Sequence, residues 1–508
     1  MTESTAATDI PADGTGSTAV SALRDTVLTR NPSMRATTSL FTAALLLSAN
    51  TAFAQETQIA SADTSRPAAA TTDTTAKGEA AKPSLVQIIG IQNMRPNDQR
   101  GINMFETPKK DAVPFTGFRA EFGAAFTQQF QGLDHENTAV SMTPTGTTGN
   151  ANQLMRLGHG FNNAVANAYL NAQLAKGIRV SMTGYLSSRH HNETWVKDGF
   201  LLIDDSPIEF APLDYIMQYL TVKAGHFEIN YGDTHFRRTD NGNAMYNPFV
   251  GNLMMDAMTT EVGGELYLRN DWGLIAMVSG LGGESRGMII KPGDRSIAWV
   301  SKLGVDRQVS KDLRVRLTGS TFNQPSSTNQ TLYQGDRGGS RYYLVLENAV
   351  ATEAGNAWSG NWNPGFGDKL RASTINPFIK YRGLEFFGDF QQSQGRKATE
   401  TENRKASQQS YEMVYRFGAN EKLFVGGRYN TVDATMNLTR VASNLGPLTT
   451  VNADVSARRG QASAGWFITP AVMVKGEYVN QKYNDFPTWD IRNGGKFNGF
   501  MIEGVVAF

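Results

Sequence analysis

The sequence predicts an all-β protein, a transmembrane antiparallel up-and-down β-barrel of about sixteen strands, with eighteen as the alternative count. Three observations predict it. From residue 115 onward, segments of about ten residues alternate apolar and polar positions, the period of a strand with two unlike faces. Short turns rich in Gly, Asn, Asp and Pro join these segments on one side, and long polar loops join them on the other. An export-type apolar segment stands upstream of the pattern, and the last strand ends on an aromatic, Phe508.

That last strand shows the grammar. One set of alternate positions reads Phe500, Ile502, Gly504, Val506, Phe508; the other reads Met501, Glu503, Val505, Ala507. One face is apolar and the other carries a charge.

Composition narrows the function classes. The 508 residues contain no cysteine, which excludes disulfides, thiolate nucleophiles and Cys-based zinc or iron–sulfur sites. Residues 1–54 hold three Arg and four acids, and the 45 bases and 43 acids of the rest leave +2. This near-neutral balance gives no basis for nucleic acid as a partner. The low mean hydropathy argues against a helical membrane protein and suits a barrel whose lumen-facing half is polar.

Before the barrel, residues 1–33 read as a doubtful, disordered N-terminal extension, with Met34 as the expected start. Residues 34–54 read as a signal peptide: the apolar run 39–48 is too short to span a bilayer as a helix, and Ala52-Phe53-Ala54 places cleavage after Ala54. Residues 55–84 are an Ala/Thr/Ser stretch of low complexity that reads as disordered. Residues 85–114 are expected to form a short periplasmic or intra-barrel segment, and 115–508 the barrel.

The expected strands are 116–130, 160–175, 177–188, 193–204, 219–230, 259–270, 272–283, 296–308, 313–324, 371–381, 383–395, 408–418, 422–434, 453–468, 471–483 and 497–508. Among the short connections only 205–218 is longer than expected. Sixteen strands place every short turn on the side of both chain ends, the periplasmic arrangement of bacterial barrels. The stretch 341–347 is assigned to a long external loop, 325–370; as half of a further strand pair it would make eighteen.

Energetics assigns the faces. An Arg or Lys facing the bilayer midplane of a barrel costs about 2–4 kcal/mol, so the charged set must face inward. Arg314, Arg316, Lys380, Arg416, Arg428, Lys475 and Glu477 are the expected pore-lining residues, with Arg382 and Arg458 among further inward bases. About sixteen strands enclose more space than wall side chains can fill, so an aqueous pore is expected. The slight excess of bases allows two readings: charges paired along the wall, or a mild anion preference.

The chain resembles the bacterial outer-membrane porins in its alternating strands, its turn-and-loop asymmetry and its terminal Phe508. The resemblance implies outer-membrane lipid as surroundings, recognition of the last strand by the barrel assembly machinery, a homotrimer, and passive diffusion of small polar or anionic solutes. In porins the third long loop folds inward as the constriction. Here it opens near 231 and runs through Thr234–Asn252, and its expected constriction residues are His235, Arg237, Arg238, Asp240 and Asn241. The spacing Gly225, Phe227, Gly232 is similar to the phosphate-selective porin O/P family, although Tyr231 stands where that family has Pro.

Other signals are weaker. His190, His191 and Glu193 offer metal-ligand types, but neighbours in an extended strand point to opposite faces. Trp358, Trp362 and Phe366 suit either a sugar platform or loop packing. No catalytic constellation, metal or cofactor is expected, so the chain reads as a non-enzyme. The competing function is a closed structural or anchoring barrel without transport.

Overall fold

The structure, a computed structural model, describes residues 91–508 apart from 92, 108, 110–114, 163–164, 188–193, 257–258, 336–340, 354 and 357–358. The expected signal peptide, the extension before it and the low-complexity stretch lie outside the described residues. So do Trp358 and the His190, His191 and Glu193 group.

Seventeen β-segments form one sheet. They are β1 (Arg119–Glu136), β2 (Gly160–Phe161), β3 (Val165–Ala175), β4 (Ile178–Ser187), β5 (Thr194–Ile203), β6 (Leu220–Glu228), β7 (Thr260–Arg269), β8 (Leu274–Leu281), β9 (Ala298–Gln308), β10 (Leu313–Gln324), β11 (Lys369–Tyr381), β12 (Leu384–Arg396), β13 (Arg404–Phe417), β14 (Leu423–Arg440), β15 (Thr449–Thr469), β16 (Val472–Asn484) and β17 (Lys496–Ala507). β2 and β3 both pair with β1 and are two parts of one interrupted stave, so the wall has sixteen staves. β1 also pairs with β17, from Ala125↔Ala507 to Glu136↔Lys496. That antiparallel pairing closes the ring.

All sixteen expected strands are present, with shifted ends. The stretch 341–347 is no strand but part of the loop between β10 and β11, which removes the eighteen-strand alternative. The long turn 205–218 contains a short helix, α1 (Ala211–Met217). β14 and β15 run well past their expected ends. Their extension is held by polar cross-strand pairs, Thr435 with Asp454, Asn437 with Asn452 and Thr439 with Thr450, so apolar alternation does not mark it.

The faces divide as the energetics require. Leu317, Ile375, Met413, Tyr429, Tyr478 and Ile502 are exposed on the outside, whereas Arg316, Glu412, Arg428, Lys475, Glu477 and Glu503 are buried within. Such an apolar outer band is stable only against lipid. Two inward assignments need correction. Arg382 sits in the β11–β12 turn at φ 52 with its side chain exposed. Arg458 points outward to Asp433, because the phase of β15 turns Val455, Ala457 and Arg459 inward instead.

Wall side chains do not fill the lumen alone; three further segments enter it. They are described parts of residues 91–107, of the loop after β6 (loop 3, 229–259) and of the loop after β10 (325–368). Tyr231, Val250 and Met254 of loop 3 join Leu332, Tyr342, Trp362 and Phe366 of the longer loop in one apolar cluster, and Trp362 stacks on Tyr483 of β16. Trp362 and Phe366 therefore have a packing role.

Candidate functional site: loop 3 and the lumen slot

Two glycines aim loop 3 into the barrel. A Cβ on Gly225 (φ 138) would lie 2.4 Å from the Gly199 carbonyl oxygen, so this glycine lets β6 close on β5. Gly232 adopts a left-handed φ of 66, and a Cβ there would press on Thr374 of β11 at 2.9 Å. The Gly-x-Phe-x-x-x-x-Gly spacing thus has a local cause: the second glycine bends the chain across the lumen toward the far wall.

Charged wall residues pin the loop along its length. Asp233 receives a two-pronged contact from Arg316 of β10, with both N–O distances at 2.8 Å, and lies 2.7 Å from Lys302 of β9. Arg237 pairs with Glu412 of β13. Arg238 lies 3.3 Å from Glu228, and Asp240 pairs with Lys197 of β5, which also lies 3.1 Å from Glu228. Asn241 donates to Asn167 of β3. On the other side Lys475 of β16 donates to the carbonyls of Ala244, Asn247 and Phe249, at 3.0, 2.8 and 3.1 Å. The Val250 N–H donates to Glu477 at 2.7 Å, and Arg428 reaches the Gly251 carbonyl at 2.5 Å.

The N-terminal segment is fastened the same way. Glu106 lies 2.9 Å from Lys302 and 2.7 Å from Arg316. Burial opposes its charge, but those two cations outweigh burial and hold its carboxyl well below the usual range. Asn103 bridges Glu385 and Arg237. Arg95 donates to the Phe236 carbonyl at 2.9 Å and lies 3.7 Å over the Tyr246 ring.

This packing leaves a slot of about 250 Å³ between loop 3 and the wall strands β3–β7. Asn171, Ser181 and Thr183 give it a polar wall, and Tyr169, Phe200 and Tyr246 give it ring surfaces. Lys197, Asp198 and Glu228 lie toward its long-loop end, and residues 93–97 and 105–107 border it as well.

The expected constriction residues divide. His235 faces the slot. Arg238 and Asp240 meet Glu228 and Lys197 on the slot's border, Asn241 is tied to β3, and Arg237 points away to β13. Of the expected pore-lining set, Arg314, Lys380 and Arg416 border a separate recess of about 850 Å³ among the short turns. Arg316, Arg428, Lys475 and Glu477 are buried beneath the loops.

Lys197 and Asp198 are slot residues that alternation alone misses. The β4–β5 register pairs Thr183 with Asp198 and Gly184 with Val196, so Lys197 is the extra residue of a bulge. The bulge turns two consecutive charged residues inward. Their adjacency in the sequence was the available clue, since strict alternation would have put one of them in lipid.

No protein-family model matches the chain, and no curated protein matches it. Among solved structures it is similar to the anion-selective porin from Comamonas acidovorans (10% identity, 77% of this chain and 100% of that one, TM-score 0.42). It is also similar to OprB of Pseudomonas putida (9% identity, 77% and 94%, TM-score 0.45) and to the outer membrane channel DcaP of Acinetobacter baumannii (10% identity, 77% and 98%, TM-score 0.44). At these identities and TM-scores the likenesses assign neither a solute nor an oligomeric state to this chain.

Proposed function

We propose that the chain is a bacterial outer-membrane porin in which small polar solutes diffuse passively along the slot between loop 3 and β3–β7. The observation that carries this is a slot between loop 3 and the wall lined by hydrogen-bonding and charged groups. Loop 3 is its constriction, with His235 on the slot and Arg238, Asp240 and Asn241 holding the loop in place; Arg237 supports the loop from behind. The outer apolar band fits a bilayer, the signal peptide at 34–54 fits export, and the strand ending at Phe508 fits assembly by the outer-membrane machinery. A homotrimer belongs to the same proposal.

The apolar cluster that joins loop 3 to the longer loop favours a second reading, a closed structural barrel. Conductance separates the two. The mature chain, refolded into a planar bilayer under a salt gradient, should give stable open steps. A folded, inserted protein that never conducts would favour the closed barrel.

A further inference from the structure

We propose that Asp198 forms a cation-binding subsite of the slot, one that takes the ammonium group of a small amine-bearing solute. The inference rests on the proposed passage along the slot and names the solute chemistry that the slot selects.

The geometry begins with the bulge that turns Asp198 inward beside Lys197. Asp198 lines the slot, is only 8% exposed, and its Oδ1 has no hydrogen-bond partner among the described residues. A buried carboxylate oxygen without a donor carries a desolvation cost, which a ligand bearing N–H groups removes. Thr183 is its cross-strand partner on β4 and lines the slot beside it.

Neighbouring cations are committed elsewhere. Lys197 is held by Glu228 and Asp240, Arg238 by Glu228, and Lys223 lies 3.3 Å from Glu265. Arg95 spends its donors on the carbonyls of Gly101 and Phe236. Among the described residues none of them forms an ion pair with Asp198.

One ring of the slot, Phe200, already receives an ammonium from the chain itself, shared with the buried Phe227. Lys223 Nζ lies 4.5 Å from the Phe200 ring centre and 4.3 Å from that of Phe227. Phe200 stands two positions beyond Asp198 on the same face of β5, and Lys223 already covers its ring, so a solute ammonium is held at the Asp198 carboxylate itself. A small amine binds there through charge-assisted hydrogen bonds, and no covalent step is involved.

The test uses the mature chain in planar bilayers in potassium chloride, with cadaverine as probe and glucose and succinate as neutral and anionic controls. Cadaverine should block the current where glucose and succinate do not. Asp198→Asn should weaken that block by about tenfold, the worth of one charge-assisted hydrogen bond, and move the reversal potential toward anions. Asp198→Glu should keep the block, and heat-modifiable migration on gels shows whether each variant folds. A conducting wild type blocked equally by all three solutes overturns the inference while leaving passage intact. A selectivity change without amine block would assign the subsite to inorganic cations alone and overturn the ammonium assignment. Should the wild type fail to conduct, passage fails; cadaverine binding to the detergent-solubilised protein by calorimetry then decides the subsite, with binding lost in Asp198→Asn supporting it and no binding to the wild type overturning it.

Discussion

Lys475 and Glu503 meet at 2.8 Å on adjacent strands of the wall, and neither side chain reaches solvent. The same ammonium donates to three carbonyls of loop 3, so one lysine joins the barrel wall to the loop it carries. Removing one partner of a buried pair typically costs about 3–5 kcal/mol, because the other charge is stranded. Lys475→Met should lower stability by about that much in urea unfolding from lipid vesicles. Adding Glu503→Gln should recover part of the loss, and a single variant as stable as the wild type contradicts the pairing.

Lys197 anchors the opposite flank of loop 3 through Asp240 and Glu228. Lys197→Met leaves the buried Asp240 without its cation and Glu228 with Arg238 in place of two cations. The expected result is a loosened loop: larger, noisier open steps and faster proteolytic cleavage within 229–259. Unchanged steps and cleavage would mean the loop is held without this lysine.

Glu106 shares Lys302 and Arg316 with Asp233, so the N-terminal segment and the root of loop 3 are held by the same two cations. Glu106→Gln removes one negative charge from that group. Current through the variant should become more anion-preferring, with higher conductance if the segment detaches from the lumen. A reversal potential identical to the wild type argues that this cluster does not feel the conducting path.

Glu347, in the loop after β10, gives a prediction in pH. Burial pushes its carboxyl up to about 7, against a hydrogen bond from Asn356 and the charge of Arg492. The unfolded value is about 4.3, so the folded state holds the extra proton between the two. The contribution of this group is therefore complete below about pH 4.3 and lost as pH rises through 7. Glu347→Gln keeps an acceptor for Asn356 without the charge. Its thermal midpoint should exceed that of the wild type at pH 8 and match it at pH 4; equal midpoints at both pH values would remove this assignment.

The wall was legible in the sequence because lipid enforces alternation. Leu313, Val315 and Leu317 against Arg314 and Arg316 leave a single sensible orientation for β10. Legibility failed where lipid exerts no such pressure. The extension of β14 and β15 is polar on its outer face, Arg458 and Arg459 offer two adjacent cations with no phase of their own, and the bulge at Lys197 breaks alternation. Loop 3 was recognisable as an inward loop, but its partners were not. Arg237 finds Glu412 and Asp240 finds Lys197 across large sequence separations, and no local spacing reports that.

Passage of solutes along the slot beside β4 has a direct test. Because the chain has no cysteine, Ser181→Cys places one thiol on that slot, and Ser373→Cys places one on the outer surface as a control. Open-channel current is then recorded before and after a charged methanethiosulfonate reagent, with labelling checked by mass. The slot route predicts a current that falls in Ser181→Cys and stays constant in Ser373→Cys and the wild type. A fully labelled Ser181→Cys channel with unchanged current would contradict it.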